Sequence, residues 1–411
     1  MVLAGMVLGA YYSAVYVYGF TAFVNPIVAT FGWSMTELSL ASSMRGLETG
    51  VFNPLWGPVV DRHSPRTLMI VGVVITAAGM FILSRTTNLL IYYLGFFIDG
   101  LGSSLVTSMV PVTVMSKWFR RDVGKANGVL YLGMGLGGVL VPVVVWLITK
   151  LGWQNTFLFS AIGFLVLGIP LSFLFRSRPE AYGLLPDGHA PPSGAKTRRL
   201  ADYNFGTSIK QALRMRAFWH LAVVIMFQAA YLAPLQTFTL PYLSSLGMDR
   251  AMAATVITLY TALSLIFRIP MGLLGDIFRK SYMVALSIGL ETFGLVMFWL
   301  MGPQTPFWLI ILFALGYGVG IAGVMPLRAP IMAEYFGNRN LGAMLGLSSI
   351  FITIASIAAS PLAGWVWDTQ HDFKPFWLAG IVFGAISLAA ILTMPPARRP
   401  AQRADALPTA G

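Results

Sequence analysis

The sequence predicts an all-α membrane protein in which twelve transmembrane helices form two pseudo-symmetric six-helix bundles. Three observations support this. First, hydrophobic residues make up 57% of the 411 residues and charged residues only 10%, where a soluble protein carries roughly 25% charged residues. Second, apolar runs close to or longer than the ~20 residues that cross a bilayer recur along the whole chain. Third, one long polar stretch divides these runs into two sets of six.

The apolar runs predict helices because backbone groups in lipid must pair within their own segment. Unbroken runs such as 68–83 exclude a barrel, whose strands alternate over ~10 residues. The twelve predicted spans are 3–30, 38–60, 67–85, 89–116, 123–149, 153–175, 217–245, 251–275, 281–301, 306–333, 340–366 and 375–394.

The polar stretch sets the domain boundaries. We expect an N-terminal bundle over 1–176, a cytoplasmic linker over 177–216 rich in Pro, Gly and basic residues, a C-terminal bundle over 217–395 and a cytoplasmic tail over 396–411. The first residues lack a basic region and a small-residue cleavage site, so span one is not expected to be a removable signal peptide.

The basic residues predict the orientation. Of the 27 lysines and arginines, twenty lie in the loops and tail on one side of the predicted spans, four on the other side and three within spans. Because basic loops remain in the cytoplasm, we expect both termini to be cytoplasmic in a multi-pass protein of the plasma (inner) membrane. The net charge of +12 therefore indicates topology rather than a nucleic-acid partner.

Several other functions lack the residues that they need. The chain has no cysteine, and its four histidines have no metal-ligand spacing. The GxGxxG match at 133–138 lies inside a span with no preceding strand, where small residues pack helices together. There is no phosphate-binding Walker loop. We therefore expect neither an enzyme nor a cofactor or metal.

The two halves repeat short loop motifs. GPVVDRHSPR (57–66) follows span two and GLLGDIFRK (272–280) follows span eight; WFRRDVGKANG (118–128) is echoed by YFGNRNLGAMLG (335–346). Acids and bases at equivalent helix ends can pair with each other and with helix termini. We predict that these residues form a cytoplasmic gate that holds neighbouring spans together: Asp61, Arg62, Arg66, Asp276, Arg279 and Lys280.

The repeated loop and the arrangement of six plus six spans resemble the major facilitator superfamily over essentially the whole chain. Within it, the sequence resembles the monocarboxylate porters and the bacterial oxalate–formate exchangers. The matching motifs are YGF (18–20), FGWS (31–34) and FRIPMG (267–272). The resemblance implies that spans one, four, seven and ten line the cavity and that Arg268 is the substrate arginine.

The sequence also departs from that branch. Thr21 and Ala22 stand where many porters have a lysine, and Ser264 stands where they have an aspartate. Residues 340–366 contain no lysine, unlike span eleven of the oxalate exchangers. The proton-coupling residues of that branch are therefore not carried over to this chain, and a dicarboxylate clamp of two cations is not expected.

Ionisable residues inside spans are functional candidates because burying them in the membrane is costly. Arg268 stays charged and can hold a carboxylate with its planar guanidinium; the alternative is a permanent internal partner. Asp99 begins a polar stripe with Ser103 and Thr107. It is a candidate proton carrier, and the alternative is a salt bridge to Arg45.

The other intramembrane ionisable residues favour structural roles. Arg45 and Glu48 are one helical turn apart and are expected to pair, with Glu48 the second candidate for proton coupling. We group Arg328, which lies between Pro326 and Pro330, with these ion pairs; it can also cap carbonyls or join the inner gate. Glu291 falls on span nine, where a peripheral position is expected.

Aromatic and amide side chains on spans one, five and seven complete the candidate substrate site, although each can equally be a packing residue. They are Tyr12 and Tyr16 of span one, Asn127 and Tyr131 of span five, and Gln228 and Tyr231 of span seven.

These features predict a secondary transporter of small organic anions, in particular monocarboxylates, that works by alternating access as a monomer in the lipid bilayer. Its partners are a small carboxylate and, where transport is coupled, a proton. The alternatives are a dicarboxylate/monocarboxylate antiporter, a drug efflux transporter and a receptor without transport.

Overall fold

The structure is a computed structural model that describes residues 1–47, 52, 56, 59–60, 62–119, 123–177, 179–183, 207–337 and 341–396. Within these ranges, the side chains at 45–47, 123–124, 181, 276 and 342–343 are outside the description. Glu48 and Asp61, and the side chains of Arg45 and Asp276, therefore lie outside the described residues, and the roles predicted for them remain predictions.

The described chain is helical throughout its spans. Span one runs from Val2 to Phe31, span two begins with Met35–Leu47, span three is Pro65–Ser84, span four runs from Leu89 to Trp118, and span five begins with Val123–Val139. Val141–Ser172 holds the outer end of span five and most of span six. The C-terminal spans, seven to twelve, are Arg216–Ser245, Arg250–Ile277, Lys280–Trp299, Phe307–Phe336, Leu341–Gln370 and Lys374–Leu392.

Ten of the helices in the described ranges are long and apolar enough to cross a membrane on their own. Spans five and six count once here because the helix Val141–Ser172 contains parts of both, and span two is not counted because only part of it is described. The chain nevertheless turns at Gly152, whose φ of 80° is a conformation that glycine adopts without strain. The predicted loop between spans five and six is thus confirmed, and the architecture is the predicted twelve-helix fold.

Spans one and four of the N-terminal bundle each contain a π-helical segment. Ser13–Val17 interrupts span one and Ser104–Met109 interrupts span four. Such segments are frequent at functional sites. In span one the wider turn needs Gly19, since a Cβ atom there would collide with the Ala14 carbonyl oxygen.

The two bundles share a close helix contact in equivalent positions. Gly79 of span three lies against the backbone of Asp99 in span four, and Gly294 of span nine lies against the backbone of Tyr317 in span ten. Asp99 and Tyr317 are both ten residues into the first helix of their span, counted from Leu89 and Phe307. The internal repeat therefore makes Tyr317 the counterpart of Asp99.

The hydrophobic core is continuous between the bundles on one side only. Its larger cluster combines the N-terminal bundle with the outer parts of spans seven to twelve, and a second, smaller cluster packs the inner ends of the C-terminal spans, from Ala212 to Met394. Here "inner" means the side of the N-terminus, which is predicted to be cytoplasmic. The bundles thus share a core at the outer side and have separate cores at the inner side.

Candidate functional site

The space between the bundles is closed at the outer side by hydrogen bonds from one bundle to the other. The carboxylate of Asp368, at the outer end of span eleven, accepts from the backbone N–H groups of Met35 and Thr36 at 2.9 Å each and from the Thr36 hydroxyl at 2.5 Å. Arg250 of span eight donates to the carbonyl oxygen of Ala22 in span one at 2.8 Å. We call the contact of Asp368 with Met35 and Thr36 the outer latch.

At the inner ends, the polar contacts between pairs of described residues stay within one bundle. Trp118 donates to the Arg176 carbonyl in the N-terminal bundle, and Tyr335 donates to the Pro395 carbonyl in the C-terminal bundle. The closed outer side and these contacts define an inward-facing arrangement.

The predicted gate residues also make contacts inside their own bundles. Arg66 lies over the Phe173 ring, Arg279 lies over the Tyr282 ring, and Arg62 is exposed. Lys280 forms a 3.1 Å ion pair with Glu334 at the inner end of span ten, a partner that the repeated motif did not reveal. The pairing of these bases with Asp61 and Asp276 lies outside the described residues.

Arg268 lies where spans five and eight meet. Its Nη1 donates to the Tyr131 carbonyl oxygen at 3.0 Å, whereas its buried Nε has no hydrogen-bond partner. No carboxylate of the described residues pairs with it. Among the described residues, no acid therefore pairs permanently with Arg268, which was the alternative prediction. The guanidinium retains a free donor.

Span five holds two further predicted site residues, one of which, Tyr131, carries the carbonyl oxygen that accepts from Arg268. Asn127 and Tyr131 are one helical turn apart. The buried Oδ1 of Asn127 has no partner, and Tyr131 is 42% exposed. The Tyr131 hydroxyl also interacts electrostatically with Arg328 of span ten. Tyr131 thus faces Arg328 across the space between the bundles.

Arg328 differs from its prediction as a member of an intramembrane ion pair. Its Nη2 donates to the hydroxyls of Ser348 and Ser349 in span eleven, at 2.7 and 3.1 Å, and to the Leu345 carbonyl at 3.4 Å. Its buried Nε has no partner, and no described acid lies within ion-pair distance. Neutral hydroxyls orient this guanidinium without cancelling its charge.

Tyr12 and Tyr16 were predicted to line the cavity, but the structure buries both in the N-terminal bundle, each 2% exposed. Their rings stack with centroids 5.0 Å apart, and Tyr16 packs on Phe96. The Tyr12 hydroxyl donates to Asp99 at 3.0 Å. A stripe of aromatic residues marks one face of a helix but does not show what that face contacts. Here the stripe packs against span four rather than lining the cavity.

The predicted peripheral position of Glu291 is also wrong. Its carboxylate is 1% exposed and accepts from two residues of span seven. The Gln228 amide donates to it at 2.8 and 3.1 Å, and the Tyr231 hydroxyl donates at 2.5 Å. Gln228 and Tyr231, predicted as substrate ligands, thus bind Glu291 in this arrangement.

Three tyrosines that the sequence did not identify as site residues lie between Arg268 and Glu291. Tyr18 interacts electrostatically with Arg268, and Tyr18, Tyr260 and Tyr317 interact with one another. The Tyr260 and Tyr317 rings meet edge to face at 5.3 Å, and the fully buried Tyr317 hydroxyl has no hydrogen-bond partner. Aligning spans four and ten would have found Tyr317, because it stands in the place of Asp99.

These helices and this inter-bundle site define the class of protein: a membrane transporter built from two six-helix halves. The sequence profile described as the Major Facilitator Superfamily matches residues 4–244 and 235–410. The chain belongs to this superfamily of transporters.

Curated and solved relatives agree with the family. Monocarboxylate transporter 12 of Mus musculus is 26% identical over 362 residues, which are 82% of this chain and 74% of the relative. Two crystal structures share the fold. A bacterial homologue of the human lysosomal transporter Spinster, inward-facing and unoccupied, has a TM-score of 0.71 and 14% identity, with 96% of each chain covered. The nucleoside transporter NupG has a TM-score of 0.74 and 15% identity, with 96% of this chain and 98% of that chain covered.

Proposed function

We propose that this transporter carries small organic anions, in particular monocarboxylates, by alternating access between the two bundles. The observation that carries the proposal is the environment of Arg268, an intramembrane cation with a free buried donor and no acidic partner among the described residues. A charge in this position is costly unless something pairs with it. A substrate carboxylate would supply the missing anion.

The neighbouring groups suit one carboxylate with a small polar substituent. The Arg268 guanidinium can donate to the carboxylate, and charged hydrogen bonds of this kind contribute about 1.5–3 kcal/mol. The free Oδ1 of Asn127 is an acceptor, which a substrate hydroxyl could satisfy. The relatives named monocarboxylate transporters support the same substrate class.

Arg328 favours a second candidate, exchange of a dicarboxylate for a monocarboxylate. It is a second cation without a described acidic partner, and it reaches the same Tyr131 side chain. We place the monocarboxylate first because Ser348 and Ser349 already occupy one end of Arg328. No side-chain contact among the described residues favours drug efflux or a receptor without transport.

Binding to purified protein tests the substrate class. We expect lactate, pyruvate, acetate or formate to raise the melting temperature of the wild-type chain. Arg268→Lys keeps the charge but loses the planar fork and should bind more weakly. Arg268→Gln should lose roughly ten- to a hundredfold in affinity. Oxalate and malonate, in parallel, test the second candidate.

Arg85→Gln is the matched control, since Arg85 is an exposed arginine that lies over Phe81 at the outer end of span three. It should bind like the wild type. Native affinity in a folded Arg268→Gln variant would refute the assignment of Arg268. Absence of carboxylate counterflow in proteoliposomes would refute transport and leave the receptor alternative.

The proposal extends to the membrane location, orientation, oligomeric state and coupling of the transporter. We infer a plasma (inner) membrane protein with cytoplasmic termini from the distribution of its basic residues. We further infer a monomer coupled to protons or to exchange of a second anion. The inward-facing arrangement would then be the state that opens to the cytoplasm.

A further inference from the structure

Glu291 is a buried carboxyl group that has no role in the proposed anion site. It is 1% exposed inside the C-terminal bundle. Gln228 and Tyr231, which contact it, are neutral donors. A buried carboxylate is normally paired with a cation or a metal, and no cation of the described residues lies within ion-pair distance. The surrounding residues thus donate hydrogen bonds to the carboxylate but do not neutralise its negative charge.

The fold does not require a carboxyl group at this position. Gly102 of span four packs against Thr76 of span three, and Gly320 of span ten packs against Glu291 of span nine. Each glycine is thirteen residues into its span, and Thr76 and Glu291 are each eleven residues into theirs. Thr76 is therefore the counterpart of Glu291, and its hydroxyl simply donates to the Gly72 carbonyl of its own helix. Because a threonine satisfies the same helix contact, the carboxyl of Glu291 points to a function.

The groups that face Glu291 are all neutral. Span seven contributes Tyr231, and span ten contributes Tyr317, which interacts electrostatically with Glu291 and adjoins Tyr260 of span eight. Span twelve, from 375 to 392, contains no Asp, Glu, Lys, Arg, His or Tyr. The fully buried Tyr317 hydroxyl has no hydrogen-bond partner, so it is a neutral group near the carboxyl that can both donate and accept.

A proton can reach this carboxyl from the space between the bundles. Gln228 is partly exposed and contacts both oxygens of Glu291. Tyr317 and Tyr260 interact electrostatically with Tyr18, which interacts with Arg268. Polar side chains thus lie between the acid and the proposed anion site, from which the acid is separate.

We propose that Glu291 is a proton-binding site of the C-terminal bundle, which takes up and releases the proton that accompanies the anion. This inference rests on the proposed function for the identity of the anion. The uptake and the release each move one proton between the carboxyl group and water. Protonation replaces an acceptor-only carboxylate by a group that can also donate, so it would change the bonding of Glu291 to Tyr231 of span seven.

The first experiment reads the proton directly and needs no substrate. Infrared difference spectra of the purified full-length chain should show a protonated-carboxyl band that disappears as the pH is raised from mildly acidic to mildly alkaline. Glu291→Gln should abolish this band, and Tyr231→Phe should change the pH at which it disappears. Glu37→Gln, which alters a carboxyl bonded to Ser34 near the membrane surface, should leave it unchanged. A titrating band that persists in full in Glu291→Gln, or no titrating band in the wild type, overturns the proposal.

The second experiment uses lactate in proteoliposomes. Glu291→Gln should lose accumulation driven by a pH gradient, to the level of protein-free vesicles, while lactate counterflow persists. Gradient-driven accumulation at the wild-type rate would overturn the proton site. Wild-type vesicles that exchange no carboxylate would refute the proposed function instead, and the infrared titration would still decide whether Glu291 binds a proton.

Discussion

The outer latch should control the balance between inward- and outward-facing states. Asp368 binds Met35 and Thr36 across the two bundles, so its bonds exist only while the outer side is closed. Asp368→Asn removes the negative charge and one of the two carboxylate acceptors. We therefore expect the variant to shift the population towards the outward-facing state.

The bonds that are lost set the size of this shift. A hydrogen bond to a charged group contributes about 1.5–3 kcal/mol, and a carboxylate at a helix N-terminus gains a further ~0.3–1 kcal/mol from the helix dipole. Asp368 is only partly buried, and asparagine keeps one acceptor. We therefore expect the substitution to destabilise the inward-facing state by about 2 kcal/mol, near the lower end of that range. This is roughly a thirtyfold change in the equilibrium constant.

Distances between the outer ends of the bundles measure the shift. The chain has no cysteine, so spin labels can be placed on Ala29→Cys of span one and Gln370→Cys of span eleven, both at exposed positions. Pulsed electron resonance should show a longer-distance population that grows in Asp368→Asn.

The matched control is Asp372→Asn. The Asp372 carboxylate accepts from the backbone N–H of Lys374 at 2.9 Å within the same bundle, so this variant should keep the wild-type distances. Identical distance distributions in Asp368→Asn and wild type would show that the latch contributes nothing to the equilibrium.

Two further predictions concern topology and the second buried acid. A single Ser193→Cys, in the predicted linker beyond the described residues, should resist impermeant thiol reagents added to intact cells; labelling from outside would reverse the predicted orientation. Asp99→Asn should lower the melting temperature and reduce counterflow together, because a neutral amide accepts more weakly from Tyr12 and brings an NH2 donor into a fully buried site, at a cost of about 1–3 kcal/mol. Loss of gradient-driven uptake alone, with counterflow intact, would instead make Asp99 a proton carrier.

The fold could be predicted because each span carries its own signal. Length and hydropathy identify a membrane helix without reference to its neighbours. The predicted bounds of span seven, 217–245, and the observed helix Arg216–Ser245 differ by one residue. Arg268 could be singled out for a similar reason, since an intramembrane cation is unusual whatever surrounds it.

Side-chain partners could not be predicted in the same way, because they depend on how each helix is rotated against the next. Tyr12 and Tyr16 form a regular stripe, but the stripe faces Asp99 and Phe96 rather than the cavity. Glu291 was assigned to the periphery from its span alone, although its side chain meets Gln228 and Tyr231. Sequence periodicity gives the face of a helix and leaves open what that face contacts.

The internal repeat shows that the two bundles share packing but differ in chemistry. In the N-terminal bundle the buried acid, Asp99, lies on span four, and the span-three residue equivalent to Glu291 is Thr76. In the C-terminal bundle the acid, Glu291, lies on span nine, and the span-ten residue equivalent to Asp99 is Tyr317. In each bundle a tyrosine of the first span, Tyr12 or Tyr231, donates to the acid.

This exchange of positions has a consequence for the transport cycle. The Tyr12–Asp99 pair joins spans one and four in the N-terminal bundle, where no described arginine has a buried donor without a partner. The Tyr231–Glu291 pair lies in the bundle that also holds Arg268 and Arg328, each with a free Nε donor. Coulomb attraction between a carboxylate and a guanidinium falls when either partner is neutralised. An anion bound at Arg268 and a proton bound at Glu291 would therefore both alter the charge balance of the same rigid bundle. On the proposed function, movement between the bundles would carry the anion and the proton together, since both would bind to the same bundle.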